Sequence, residues 1–170
     1  LHGQSGETVG TGSIDALATY ARDLAGVDAM SHQGNDFQIT PAGWADFQRA
    51  FDAFDQPGRF VFLPGYEWSG NTALGGDRNV IFPVSGRTIR RSCRALIEAL
   101  GDDHTDALDA RELHAALRAE GAPVLCIPHV GGRFANLHYA HDRMLERAVE
   151  VHSDWGTFDW LLEDAFAVGA

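Results

Sequence analysis

At 170 residues, 45% of them hydrophobic, the chain is about one domain with enough apolar content for a real core. A formal charge of −11 argues against broad electrostatic binding to nucleic acid or an anionic membrane, and no apolar run nears the roughly 18 residues of a membrane span. Cys93 and Cys126 are too few for a disulfide framework or a cysteine-type zinc site, so the eight histidines are the compositional oddity.

The chain opens on Leu1-His2, which reads as the tail of a strand, and then a polar Gly/Thr loop. Ser13 is a helix cap, and Ile14, Leu17, Ala21 and Leu24 mark one helical face that Gly26 ends. Val27 to His32 is the next strand. Thr40-Pro41 opens a second helix, whose Trp44, Phe47, Phe51 and Phe54 form an apolar stripe for the core. Arg59 to Glu67 is a third strand and Asn79 to Val84 a fourth. The Gly-rich loop between them lacks the Gly-Lys-Ser/Thr ending of a phosphate-binding loop.

Arg87, Arg90, Arg91 and Arg94 cluster in an otherwise acidic chain, either as a solvated helix start or as a clamp for an anion. Helices are expected over Ser92–Leu100 and Asp109–Glu120, the latter with Asp109 and Glu112 at capping-box spacing. His114 on that helix reads as a surface residue, and His104 as a weak candidate. Ala122 to His129 is a buried strand containing Cys126 and ending at Gly131-Gly132. A loop carrying His138 and His141 follows, either group supporting ligands or touching substrate. Then come a short helix near Arg143–Arg147, a strand Ala148–His152 and a last helix over Thr157–Val168, with Trp160, Leu161, Ala165 and Val168 inward.

Alternating strands and helices argue for a parallel α/β arrangement. His2, His32, Glu67, His129 and His152 all stand at strand ends, and a closed ring of strands points such ends at one spot. Neutral imidazoles with a carboxylate suit Zn²⁺, Mn²⁺ or Fe²⁺, and more than four candidate ligands allow two or more ions. Glu150 is either a further ligand or a buried partner. No serine or cysteine makes a convincing nucleophile, so metal-activated water is the more economical one.

Several blocks carry a resemblance: Leu1-His2-Gly-Gln-Ser-Gly-Glu-Thr8, Ser31-His32-Gln-Gly-Asn-Asp-Phe37, Pro64-Gly-Tyr-Glu-Trp-Ser-Gly70, Gly76-Asp-Arg-Asn79, Pro128-His-Val-Gly-Gly132 and Glu150-Val-His-Ser-Asp-Trp-Gly156. On these the chain resembles the PHP (polymerase and histidinol phosphatase) superfamily, and more closely the DUF3604 group within it. The resemblance implies a distorted (β/α)7 barrel with a two- or three-metal site at the strand C-termini, and phosphoester hydrolysis. It implies metal ligation by His2, His32, Glu67, His129 and His152. Gln4 stands where the second histidine of the opening motif would, and Glu7 is expected to substitute. Ser31 replaces the aspartate of the second motif. The closing Asp-x-His motif is not reached, so 1–170 is expected to be a single domain and an incomplete barrel, short of a few residues before Leu1 and of the last strand or strands.

The expected function is a metal-dependent phosphoesterase, with Glu67 and His129 as catalytic residues. Arg78, Arg133 and His138 are expected to bind a small anionic substrate. An amidohydrolase-like C–N or C–O hydrolase is the alternative, although all 13 basic residues are arginine and none is a lysine that could be carboxylated. A non-catalytic, metal-stabilised domain is the third reading. No nucleic-acid or membrane partner is expected, the oligomeric state is open, and a cytoplasmic location is favoured over others.

Overall fold

Residues 2–92 and 105–169 are described by the computed structural model. Three short strands form one parallel sheet in the order β1 (His2–Gly3), β2 (Ala29–His32), β3 (Val61–Leu63). Three more form an antiparallel sheet, β4 (Gly65–Trp68), β5 (Arg78–Ile81), β6 (Leu125–Pro128). A small hairpin pairs β7 (His152–Ser153) with β8 (Gly156–Thr157). The helices are α1 (Ile14–Thr19), α2 (Pro41–Phe54), α3 (Ala110–Ala119) and α4 (Trp160–Val168).

The fold is thus mixed α/β, but the described residues form no closed barrel, and among them three of the five strand pairings are antiparallel. The expected strand Arg59–Glu67 divides at Pro64. Proline offers no N–H to a ladder, and Gly65 then turns the chain into the second sheet. A side chain at Gly65 would collide with Gln33 Nε2, Ser31 Oγ and the Val80 carbonyl. Between β4 and β5 the Ser69–Asp77 connection is shorter than the dozen or so residues of a parallel crossover, so the two strands run antiparallel. The two sheets meet where Asn35 bridges Glu67 and the Glu67 N–H donates to the Gly34 carbonyl (3.0 Å).

The core follows the aromatic stripe of α2. Thr40 caps this helix through the Gly43 N–H, and Pro41 sits in its first turn. Trp44, Phe47 and Phe51 are buried, and Phe54 is half-buried. Phe51 meets Phe62 edge to face (centroids 4.9 Å), and Trp44 meets Tyr66 (5.7 Å). In α1 the expected face holds only to Ala21. The helix widens into a π-turn over Tyr20–Leu24, which rotates Leu24 outward to 77% exposure.

Asp109 caps α3 through the Arg111 and Glu112 N–H groups. His114 on α3 is buried rather than superficial, because its ring meets Glu146 (3.0 Å). Arg143–Arg147 forms turns held by Asp142 instead of a helix. The strand expected from Ala148 begins only at His152. In α4, Leu161 and Ala165 face inward while Trp160 is 40% exposed. Past Ser92, the helix expected over Ser92–Leu100 lies outside the described residues, as do Cys93, Arg94 and His104. Cys126 is buried as expected, and burial pushes its thiol pKa up.

Candidate metal centre

Three side chains converge where the two sheets meet. β1 delivers His2, β4 delivers Glu67, and the chain leaving β6 delivers His129. Glu67 Oε2 lies 3.8 Å from His2 Nε2 and 3.6 Å from His129 Nε2, and the two imidazole rings are 4.9 Å apart. One donor atom from each of the three falls within 4.8 Å of the others, spacing that lets all of them reach a single metal ion.

Two of the three donors are held by hydrogen bonds. Glu67 Oε1 accepts hydrogen bonds from Asn35 Nδ2 (2.7 Å) and Ser69 Oγ (3.1 Å), which leaves Oε2 to face the histidines. Glu150 takes the Nδ1 side of His129, and the same Glu150 oxygen accepts the Val130 N–H (2.9 Å). Glu150 is therefore the partner of a histidine, and His129 Nε2 stays directed at Glu67. A carboxylate on the far nitrogen is the usual way a metal-ligating histidine is fixed in tautomer and orientation.

The electrostatics suit a cation. Burial and the neighbouring His129 lower the His2 pKa to about 4, so its imidazole is a neutral donor near pH 7. Burial and the nearby Asp77 raise Glu67 to about 7. For His129, burial acts to lower the pKa, but the Glu150 hydrogen bond and the charge of Glu67 outweigh it and the net shift is upward. A desolvated carboxylate between two imidazoles gains most from a divalent ion, and the donor set fits one.

The cluster lies in a cleft of about 820 Å³. Arg133 stands in its wall. Asp77, buried and missed in the sequence, accepts from Arg133 Nε (3.0 Å) and from its backbone N–H (3.2 Å), and the guanidinium lies over the Phe37 ring (5.5 Å). The sequence signal for Asp77 was its place immediately before β5, two residues from Asn79.

The other expected site residues stand elsewhere. His32 is buried, with Nε2 against the Ser5 N–H (3.1 Å) and hydroxyl (2.8 Å) and Nδ1 facing the Gly34 N–H (3.3 Å). Burial holds its pKa down to about 4. Register explains its absence from the cluster: His2 pairs with Ser31, so alternation sends His32 to the opposite face, onto Phe47. Glu7 accepts the Ile14 N–H (3.2 Å) at the start of α1. His152 is exposed and meets Thr157 Oγ1 (2.7 Å).

Of the expected anion binders, only Arg133 lines this cleft. Arg78 is fully buried, donating from Nε to Glu146 (2.6 Å) and from Nη2 to the Ala140 carbonyl (3.1 Å), so it cannot meet a substrate. His138 is exposed and pairs with Asp164 (3.0 Å). In the arginine cluster, Arg87 and Arg90 pair with Glu120, and Arg91 with Asp106, which supports a structural role over a clamp. His141 supports Glu146 rather than the cleft (2.9 Å).

Fold and site together define a mixed α/β domain with a His/Glu/His group, its Glu67 and His129 buried and His2 at the exposed edge, able to hold a metal ion. Residues 5–152 match the family described as "Protein of unknown function (DUF3604)", and the chain belongs to that family. No curated protein and no solved structure matches it. Among the described residues, no helix is long and apolar enough to cross a membrane.

Proposed function

We propose that the chain is a PHP-type, metal-dependent hydrolase that cleaves phosphoesters. The observation that carries this reading is the His2–Glu67–His129 cluster, opening beside the Arg133 guanidinium in one cleft. Three protein donors with room beside them is the arrangement of catalytic rather than structural metal sites. Zn²⁺, Mn²⁺ or Fe²⁺ bound there would supply Lewis acidity to a phosphoryl oxygen and lower the pKa of a coordinated water.

The remaining work falls to the chain itself. Asn35 and Ser69 hold Glu67, and Glu150 holds His129, so these two donors are set before substrate arrives. Asp77 and Phe37 hold Arg133 in the wall, where it opposes the negative charge of a phosphoryl group. Further ions belong to the same reading.

The test is turnover of a panel of phosphomonoesters and diesters by metal-loaded protein, with and without chelator. The expected result is chelator-sensitive phosphoester hydrolysis that Glu67→Gln and His129→Ala abolish. Turnover of lactones or amides without phosphoesters would replace this reading with an amidohydrolase-like one. Stoichiometric metal with no turnover of any substrate would leave a metal-stabilised, non-catalytic domain.

A further inference from the structure

The hairpin of β7 and β8 presents Trp155 at its tip. His152 pairs with Thr157 and Ser153 with Gly156, so Asp154 and Trp155 form the tip, with Gly156 at φ 124° completing the turn. The tip is anchored. Ser153 Oγ donates to the Val130 carbonyl (2.5 Å) and accepts the Trp155 N–H (3.1 Å).

Trp155 lines the cleft, yet it is 68% exposed. Its indole lies over the bare backbone at Gly132, where a β-carbon would come within 3.4 Å of the ring atoms Cη2 and Cζ2. Tryptophan is highly buried on average. Here it is fixed in place with most of its surface left facing the cleft and solvent.

Gly132 is followed directly by Arg133. The Arg133–Asp77 hydrogen bonds use Nε and the backbone N–H, and among the described residues neither terminal nitrogen of the guanidinium makes a hydrogen bond. Phe37, beneath that guanidinium, lines the same cleft. An anion-binding group and an exposed flat apolar surface thus occupy adjoining parts of one wall.

We propose that the cleft takes a phosphoryl group carried on a flat aromatic ring, with the anion on Arg133 and the ring on Trp155. This rests on the phosphoester reading of the site for its head group, and adds the class of the group to which the phosphoryl is attached. Trp155 is a specificity-determining residue and takes no part in bond breaking.

The test is equilibrium binding of phenylphosphonate and methylphosphonate to the metal-loaded protein by titration calorimetry. The C–P bond of both resists hydrolysis, so binding is read apart from turnover. Stacking on an indole predicts that phenylphosphonate binds roughly five- to tenfold more tightly. Trp155→Ala should erase that ratio while leaving methylphosphonate affinity unchanged, and Trp155→Phe should keep most of it. Arg133→Gln should weaken both ligands alike. Equal affinities in the parent, a ratio that survives Trp155→Ala, or no binding of either ligand would overturn the proposal. A ring preference without hydrolysis of phenyl phosphate would keep the proposal and remove the phosphoesterase reading. Hydrolysis without a ring preference would do the reverse.

Discussion

Glu150 engages Nδ1 of His129 while Nε2 of the same ring faces Glu67 Oε2 at 3.6 Å. One histidine is thereby fixed from behind and offered from the front. Replacing Glu150 by Gln keeps the shape and removes the charge. Metal affinity should fall about 10- to 100-fold, the usual effect of losing such a partner. A titration followed by competition with a chelating dye reads this directly, and circular dichroism should be unchanged. Unaltered affinity would mean that Glu150 serves only the Val130 N–H.

Glu146 is the centre of a fully buried charge network. It accepts from Arg78 Nε (2.6 Å), and the rings of His114 and His141 meet its two oxygens. Burial acts to raise its pKa, but His114 and Arg78 outweigh this and hold it at about 2, against an ordinary value of 4.5. Because the folded-state pKa is depressed, the linked stability is fully present above the unfolded pKa of 4.5. It is lost as pH falls from there towards about 2. The shift corresponds to on the order of 3 kcal/mol. Urea midpoints measured between pH 6 and pH 2.5 should decline over that window, and the decline should be much smaller in Glu146→Gln. At pH 7 that variant should itself be less stable by about 3–5 kcal/mol, since it strands the Arg78 charge. A Glu146→Gln protein as stable as the parent would contradict the buried-pair account.

The aromatic core gives a contrast of opposite outcomes. Phe51 is 1% exposed and packs edge-on to Phe62, so Phe51→Ala should cost about 3–5 kcal/mol. Leu24, turned outward by the π-turn, should tolerate Leu24→Ser within about 0.5 kcal/mol. Denaturant unfolding of the two variants checks both. A large loss from Leu24→Ser would mean that α1 continues as a regular helix.

A bound ion should also stabilise the fold. At a free metal concentration 100 times Kd the gain is about 2.7 kcal/mol. A thermal shift on adding Zn²⁺ or Mn²⁺ should appear in the parent and vanish in Glu67→Gln. A shift of equal size in both would place the ion elsewhere.

The elements were legible wherever a local signal set them. Thr40-Pro41 started α2, Asp109 started α3, and the Trp44–Phe54 spacing marked the core face. Strand direction was not legible, because apolar runs read alike in parallel and antiparallel pairs. The short Ser69–Asp77 connection was the available clue. Within the site, His2, Glu67 and His129 were found by their positions at strand ends. His32 matched the same pattern, but its direction depends on the register of β1 against β2, which composition and periodicity do not carry. His152 fits the end of an expected strand Ala148–His152, but the strand starts only at His152 itself. Arg78, expected at a substrate, lies buried against Glu146, while Asp77 stands in the cleft beside Arg133.

The most direct measurement is metal content per chain by elemental analysis, on protein purified without chelator, beside four variants. A stoichiometric divalent ion is expected in the parent. Near-complete loss is expected in His129→Ala and Glu67→Gln, and retention in Glu7→Gln and His152→Ala. Loss of the ion in His152→Ala as complete as in His129→Ala, with both proteins folded, would contradict the three-residue centre. So would an ion that survives the loss of both Glu67 and His129.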